Sequence, residues 1–204
     1  MKREEAIEKL SKLIGGPDLH KLAIKYGITV RTPRGTVNKG WAGHVMERYL
    51  GLPINSAQSP NFGSWELKCI PIHRLKSGKL SIKETMAITM IDKYNVEKTP
   101  FCRSHLLTKL RKAVVVARIV GRDYSEPTFV YSVTPIDMTD EIYRQVEADY
   151  NEVRNSIKKC GGTELTGKMG KYIQPRTKGM GNGSDTRAFY ARPLFLRLFI
   201  DLEE

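Results

Sequence analysis

Hydrophobic residues recur along this chain with two different spacings, and together these spacings predict a mixture of helices and strands. Ile7, Leu10 and Ile14 recur every three or four residues and therefore share one face of a helix. The same spacing predicts helices over residues 1–14, 18–26, 41–50, 104–112 and 139–159. Alternating or continuously apolar segments predict strands over residues 65–72, 83–92, 113–120, 128–133 and 171–174, while residues 189–200 fit either a helix or a strand.

Capping and turn residues mark several of these boundaries. Asp18, Ser104 and Thr139 precede predicted helices, where a side-chain oxygen can accept a hydrogen bond from the first turn. The segment 177–184 contains three glycines and predicts a flexible basic loop. Because this loop lacks the G-x-x-x-x-G-K-[ST] pattern, we expect no nucleotide cofactor.

The composition fits a soluble globular protein. The chain has 204 residues, of which 40% are hydrophobic and 27% are charged, so it is long enough for one domain with a substantial core. No apolar run approaches the roughly 18 residues of a membrane span, and no secretory signal opens the chain. The three cysteines form no C-x-x-C pair, which argues against a zinc ribbon or a disulfide framework. We therefore expect a cytoplasmic protein with no membrane partner.

The positive charge is concentrated in two segments. Of a net charge of +12, residues 103–122 contribute six bases and no acid, and residues 168–200 contribute seven bases and one acid. Two such blocks suit a polyanion, most simply the phosphates of nucleic acid. A basic surface kept for solubility is the alternative. RNA binding without chemistry is also compatible with the charge, but the chain contains no aromatic RNA-binding signature.

Glu66, Leu67 and Lys68 form an E-x-K triplet on a predicted strand. Because strand residues alternate between faces, Glu66 and Lys68 should share one face. A carboxylate there can hold Mg²⁺ through hard oxygen coordination, and a neighbouring lysine can orient the attacking water and stabilise charge on a phosphate. The triplet is common in basic proteins, so the surrounding motifs decide its meaning.

Those motifs resemble the MutH family of DNA endonucleases, which includes the mismatch-repair nicking enzyme and type II restriction enzymes of the MvaI and BcnI kind. The resemblance rests on K-G-W-A-G-H-V-M-E at 39–47, P-N-F at 60–62 and E-L-K-C-I-P-I at 66–72. Further along, it rests on S-H-L-L-T-K-L at 104–110, G-K-Y-I-Q-P-R at 170–176 and R-A-F-Y at 187–190.

The resemblance implies a restriction-endonuclease-like (PD-(D/E)xK) α/β fold, with a central mixed sheet flanked by helices and a DNA-binding cleft. It implies one MutH-like nuclease domain over residues 1–204, with an approximate catalytic portion at 1–125 and a recognition portion at 126–204. It also implies Mg²⁺-dependent hydrolysis of DNA with products that carry a 5′ phosphate. The implied catalytic residues are Glu47, Asn61, Glu66 and Lys68, and the implied metal ligands are Asn61 and Glu66.

Residue 61 departs from the family pattern, because Asn61 stands where the family has a metal-binding aspartate. An amide oxygen can still ligate Mg²⁺, but the negative charge is lost, which should weaken catalysis. Asn61 could be an inactivating substitution introduced to trap a DNA complex, a natural residue compensated by Glu47, or the mark of a protein that binds DNA without cutting it. The first explanation is favoured because Glu47, Glu66 and Lys68 are all present.

The two basic segments supply the candidate contacts to double-stranded DNA, by phosphate contact or by reading guanine edges. These candidates are Lys109, Arg111, Lys112, Arg176, Lys178, Arg187 and Tyr190. Four residues separate Asn61 from Glu66, a spacing that resembles the MvaI branch. We therefore expect a monomeric type II restriction enzyme, with a cognate DNA methyltransferase as a possible partner in the same restriction system. MutH-type nicking in mismatch repair and noncatalytic DNA binding are the alternatives.

Overall fold

The computed structural model describes residues 1–52, 65–121, 123, 125–178 and 186–202, which fall into two compact units. Unit 1 comprises Met1–Lys83, Ala113–Pro135 and Ile200–Glu204, and unit 2 comprises Glu84–Lys112 and Ile136–Phe199. Each unit is thus assembled from segments that are separated along the chain. The functional division near residue 125 remains a prediction, since packing rather than function defines these two units.

All five predicted helices are present, and the described residues contain two further α-helices that the sequence pattern did not predict separately. The helices are α1 (Arg3–Ser11), α2 (Leu19–Lys25), α3 (Trp41–Tyr49), α4 (Lys93–Lys98), α5 (His105–Leu110), α6 (Asp140–Cys160) and α7 (Pro193–Leu196). The strands are β1 (Glu66–Arg74), β2 (Leu80–Ile82), β3 (Met86–Met90), β4 (Ala113–Ile119), β5 (Phe129–Pro135), β6 (Ile173–Thr177) and β7 (Arg187–Ala191). Among the described residues, none of the helices is long and apolar enough to cross a membrane.

The ambiguous segment 189–200 contains both the end of a strand and a helix. β7 ends at Ala191, and Pro193 opens α7. Proline suits the first turn of a helix because its missing N–H would have no partner there and its φ angle is already helical.

Unit 1 is built on a mixed four-stranded sheet in the order β2-β1-β4-β5. β1 and β4 are parallel, from Glu66 opposite Ala113 to Ile72 opposite Ile119, and the other pairs are antiparallel. Helices α1 and α3 pack against these strands, and α2 packs against α3. The predicted mixed sheet flanked by helices is therefore confirmed. The core of this unit includes Leu10, Leu19, Trp41, Val45, Trp65, Leu67, Val114 and Val116.

β1 contains Pro71 and ends at Arg74, two residues past the predicted end of the strand at residue 72. The N–H and C=O groups of one strand residue point toward the same neighbouring strand. The Pro71 carbonyl accepts from the backbone N–H of Lys83, just past the end of β2. The missing N–H of Pro71 therefore faces the end of a short strand, and the ladder between β1 and β4 loses no hydrogen bond.

Unit 2 contains a three-stranded antiparallel sheet in the order β3-β7-β6. Its long helix α6 packs against α4 and β6. The Thr139 side chain caps α6, and the helix ends at Gly161, whose φ of +62° is a left-handed conformation that glycine adopts without strain. An apolar stripe of α6 is buried at Val146, Tyr150, Val153 and Ile157.

The Asp18 carboxylate caps α2 and also ties that helix to the sheet of unit 1. It accepts from the backbone N–H of His20 at 3.1 Å and from that of Thr128, next to β5, at 3.0 Å. Burial raises the pKa of Asp18, but the hydrogen bonds from Thr128 and His20 outweigh burial and lower the pKa below the ordinary value of 3.8.

Replacing Asp18 by asparagine should lower the free energy of unfolding at pH 7 by about 1 kcal/mol or less, because the amide oxygen can still accept from both backbone N–H groups but the negative charge is lost. The folded-state pKa lies below the unfolded value, so this stabilisation is present above about pH 4 and disappears as the pH falls through the folded pKa. Urea unfolding at pH 7 and pH 3 measures both effects. Asp201→Asn, at an exposed position, is the control, and an equal loss at both pH values would contradict the assignment.

Candidate active site and nucleic-acid interface

The two charged residues of the E-x-K triplet lie together on β1. The Lys68 Nζ atom donates to Glu66 Oε1 at 2.7 Å. The Glu66 side chain is 2% exposed and that of Lys68 is 21% exposed, so the pair has one buried and one accessible end. Leu67, between them, belongs to the hydrophobic core on the other face. Glu66 and Lys68 therefore share one face of β1, and Leu67 lies on the other, as the sequence predicted.

Glu47 is a second buried carboxylate in unit 1. It lies on α3, which packs against β1, and only 6% of the residue is exposed. Trp41, Val45 and Met46 on the same helix are buried in the core, and they fix the rotation of α3 about its axis. A surface glutamate that only pairs with a nearby base would not be buried to this extent.

These carboxylates provide the donor type that a hard divalent cation requires. Mg²⁺ prefers carboxylate oxygens, and Glu47 and Glu66 belong to elements that pack against each other. No group of three or more histidine, cysteine, aspartate or glutamate side chains that could hold a metal occurs in the part of the chain that the structure describes. The predicted third position, Asn61, lies outside the described residues. The chemistry of the two buried carboxylates therefore fits Mg²⁺.

Three of the predicted DNA contacts lie at the end of α5 in unit 2. Ser104 caps this helix by accepting from the Leu107 N–H at 3.1 Å. Lys109 is half-buried in the last turn, and Arg111 and Lys112 follow it on the surface. The two exposed bases can therefore reach a phosphate backbone without any rearrangement of the helix.

The other four predicted contacts come together on the paired strands β6 and β7. Arg176 lies opposite Ala188, and Thr177 lies opposite Arg187. The backbone N–H of Lys178 continues this pairing by donating to the Thr186 carbonyl at 2.8 Å. The Arg176 guanidinium lies 5.8 Å from the centre of the Tyr190 ring. Most of the predicted glycine-rich loop, residues 179–185, lies outside the described residues.

The sequence pattern missed two residues that hold the start of β6. The Asp149 carboxylate on α6 is 3% exposed. It accepts hydrogen bonds from the backbone N–H groups of Lys171, Tyr172 and Ile173 at 2.9, 2.7 and 2.8 Å. The Arg192 guanidinium donates to the carbonyls of Gly167, Met169 and Gly170 on the same turn. Residues 167–173 are thus clamped from both sides.

Replacing Asp149 by asparagine should lower the free energy of unfolding by about 2–4 kcal/mol, because the amide places N–H donors against buried backbone donors. Equilibrium urea unfolding measures this loss. Asp140→Asn, at an exposed position in the first turn of the same helix, should cost no more than about 1 kcal/mol. Equal stability of the two variants would show that the Asp149 contacts do not stabilise the fold.

Comparisons with known proteins show which family this chain resembles. The family model described as DNA mismatch repair enzyme MutH matches residues 50–141, a range that includes Glu66, Lys68 and the basic end of α5. A DNA mismatch repair protein MutH from Vibrio cholerae serotype O1 (strain ATCC 39315 / El Tor Inaba N16961) is 28% identical over 192 residues, covering 89% of this chain and 82% of that protein. The protein of the same name from Salmonella typhi is 28% identical over 188 residues, covering 89% and 78%.

Proposed function

This chain belongs to the MutH family of DNA endonucleases, and from that premise we propose that it hydrolyses DNA phosphodiester bonds with the help of Mg²⁺. The observation that carries the proposal is the Lys68–Glu66 contact of 2.7 Å on β1, in a unit that also buries Glu47. A buried carboxylate paired with a partly accessible lysine suits hydrolysis better than simple adhesion to phosphates, which needs only exposed bases.

Each residue of the proposed site has a distinct task. Glu66 and residue 61 would hold the metal ion, and Glu47 would add negative charge beside it. Bound Mg²⁺ supplies Lewis acidity toward the phosphate and lowers the pKa of water. Lys68, held in place by its hydrogen bond to Glu66, would orient the attacking water and stabilise the negative charge that develops on the phosphate. The burial of Glu66 keeps bulk water from competing for its oxygens.

For the biological role, we propose strand nicking in DNA mismatch repair. The support is that curated relatives covering most of this chain are named as DNA mismatch repair proteins. This replaces restriction as our leading proposal for the biological role. Type II restriction, which the sequence favoured, becomes the second candidate; its support is that four residues separate Asn61 from Glu66, the spacing that resembles the MvaI branch. A cognate methyltransferase would be expected only for that second role.

Cleavage of a supercoiled plasmid distinguishes strand nicking from type II restriction. Incubated with Mg²⁺, this chain and its Asn61→Asp variant should convert supercoiled DNA to nicked circles at defined sites, and EDTA should prevent the conversion. Linear product cut at one defined position in both strands would favour restriction. Failure of both proteins to cut methylated and unmethylated plasmid, with duplex binding retained, would overturn the proposed hydrolysis in favour of noncatalytic DNA binding.

A further inference from the structure

Arg176 on β6 is exposed, yet its guanidinium contacts side chains from two other parts of the sheet in unit 2. The Arg176 Nη1 atom donates to Thr85 Oγ1 at 2.9 Å. The guanidinium also lies 5.8 Å from the ring centre of Tyr190 on β7. Thr85 directly precedes β3, Tyr190 lies on β7 and Arg176 lies on β6, so the contacts span the full width of the sheet in unit 2.

This restraint matters for binding because a long side chain loses rotamer freedom when it contacts a ligand. For arginine the loss is on the order of 2 kcal/mol, and fixing the side chain beforehand removes much of it. The guanidinium carries five N–H donors, and the Thr85 contact uses one. A pair of donors therefore remains for the O6 and N7 atoms of guanine, whose recognition depends on a fixed orientation of the fork.

We propose that Thr85 is a positioning residue for sequence readout: its hydroxyl holds Arg176 in the orientation that distinguishes one base from another. This inference rests on the proposed function, since it requires that the sheet of unit 2 contacts DNA. A mobile side chain can still contact a phosphate, whereas hydrogen bonding to a base edge requires a fixed orientation of the side chain. Thr85 should therefore affect the choice of sequence much more than the overall strength of DNA binding.

The test is selection from a pool of randomised duplexes, with Ca²⁺ replacing Mg²⁺ to slow cleavage and with the bound fraction sequenced. Five proteins are compared: the unchanged chain, Thr85→Val, Thr85→Ser, Arg176→Ala, and Thr85→Val combined with Arg176→Ala. Valine keeps the shape of threonine without the hydroxyl, and serine keeps the hydroxyl. Melting temperatures are measured alongside, so that a loss of folding is recognised.

We expect Thr85→Val to reduce the enrichment of the preferred bases about tenfold, at the same positions that Arg176→Ala affects. Thr85→Ser should keep the original profile, and the double variant should match Arg176→Ala. The inference is overturned if Thr85→Val keeps the full preference, weakens all sequences equally, or adds a further loss to Arg176→Ala. If the unchanged chain binds no duplex in the pool, the proposed function itself fails, which is a different result from losing the Thr85 effect alone.

Discussion

Replacing Asn61 by aspartate should raise the rate of plasmid cleavage about 100-fold or more. An aspartate restores an anion at the position where the family holds its metal, and a difference of about 3 kcal/mol in the stabilisation of the transition state corresponds to that factor. The variant should also reach its full rate at a lower Mg²⁺ concentration, because a second carboxylate binds the cation more tightly than an amide. Cleavage rates measured across a Mg²⁺ titration give both quantities.

Asn155→Asp is the matched control for this prediction. It adds the same charge at an exposed position on α6, so it should leave both the rate and the Mg²⁺ requirement unchanged. If the chain with Asn61 already cuts as fast as the aspartate variant, residue 61 is not a metal ligand of consequence. Glu47 would then be the residue that supplies the second charge.

On the Asn61→Asp background, Glu66→Gln and Lys68→Met should each slow cleavage about 1,000-fold or more while duplex binding is retained. Glu66→Gln removes a metal-binding charge, and Lys68→Met removes the group that orients water and stabilises the developing phosphate charge. Because the two side chains are in direct contact at 2.7 Å, the double variant should lose little more than either single variant. Single-turnover cleavage and filter binding measure the two properties separately.

Folding must be monitored in these variants, because Lys68→Met leaves the buried Glu66 carboxylate without its ammonium partner and should lower stability by about 3 kcal/mol. Lys79→Met, at an exposed position between β1 and β2, removes an equivalent positive charge and should leave cleavage within about twofold of the parent. If Lys68→Met is folded, binds duplex and cuts at the parent's rate, Lys68 has no part in the reaction.

The local features of this molecule could be predicted from its sequence. Asp18, Ser104 and Thr139 cap the helices that they precede, because capping depends only on the next few residues. Strand alternation likewise predicted that Glu66 and Lys68 share a face. By contrast, α4 was missed because it has a single buried residue, Val96, and hence no periodic apolar stripe.

The long-range features could not be predicted in this way. Asp149 looks like one more charged residue on an amphipathic helix, and only the folded chain brings the N–H groups of residues 171–173 to its oxygens. Thr85 and Arg176 are separated by 91 residues, so no local pattern links them. Such contacts depend on how distant segments of the chain pack together. Hydrophobic periodicity does not reveal that packing or the register in which strands pair.

The interleaving of the two units has a consequence for how this enzyme can be altered. The chain passes between them after Lys83, Lys112, Pro135 and Phe199. No single break in the gene therefore separates the two units and leaves both of them whole. Fusing the N-terminal half of one relative to the C-terminal half of another would therefore divide at least one of the units. If unit 2 reads the DNA sequence as we propose, a change of specificity is best sought by substitution within its strands, which leaves the fold of unit 1 whole.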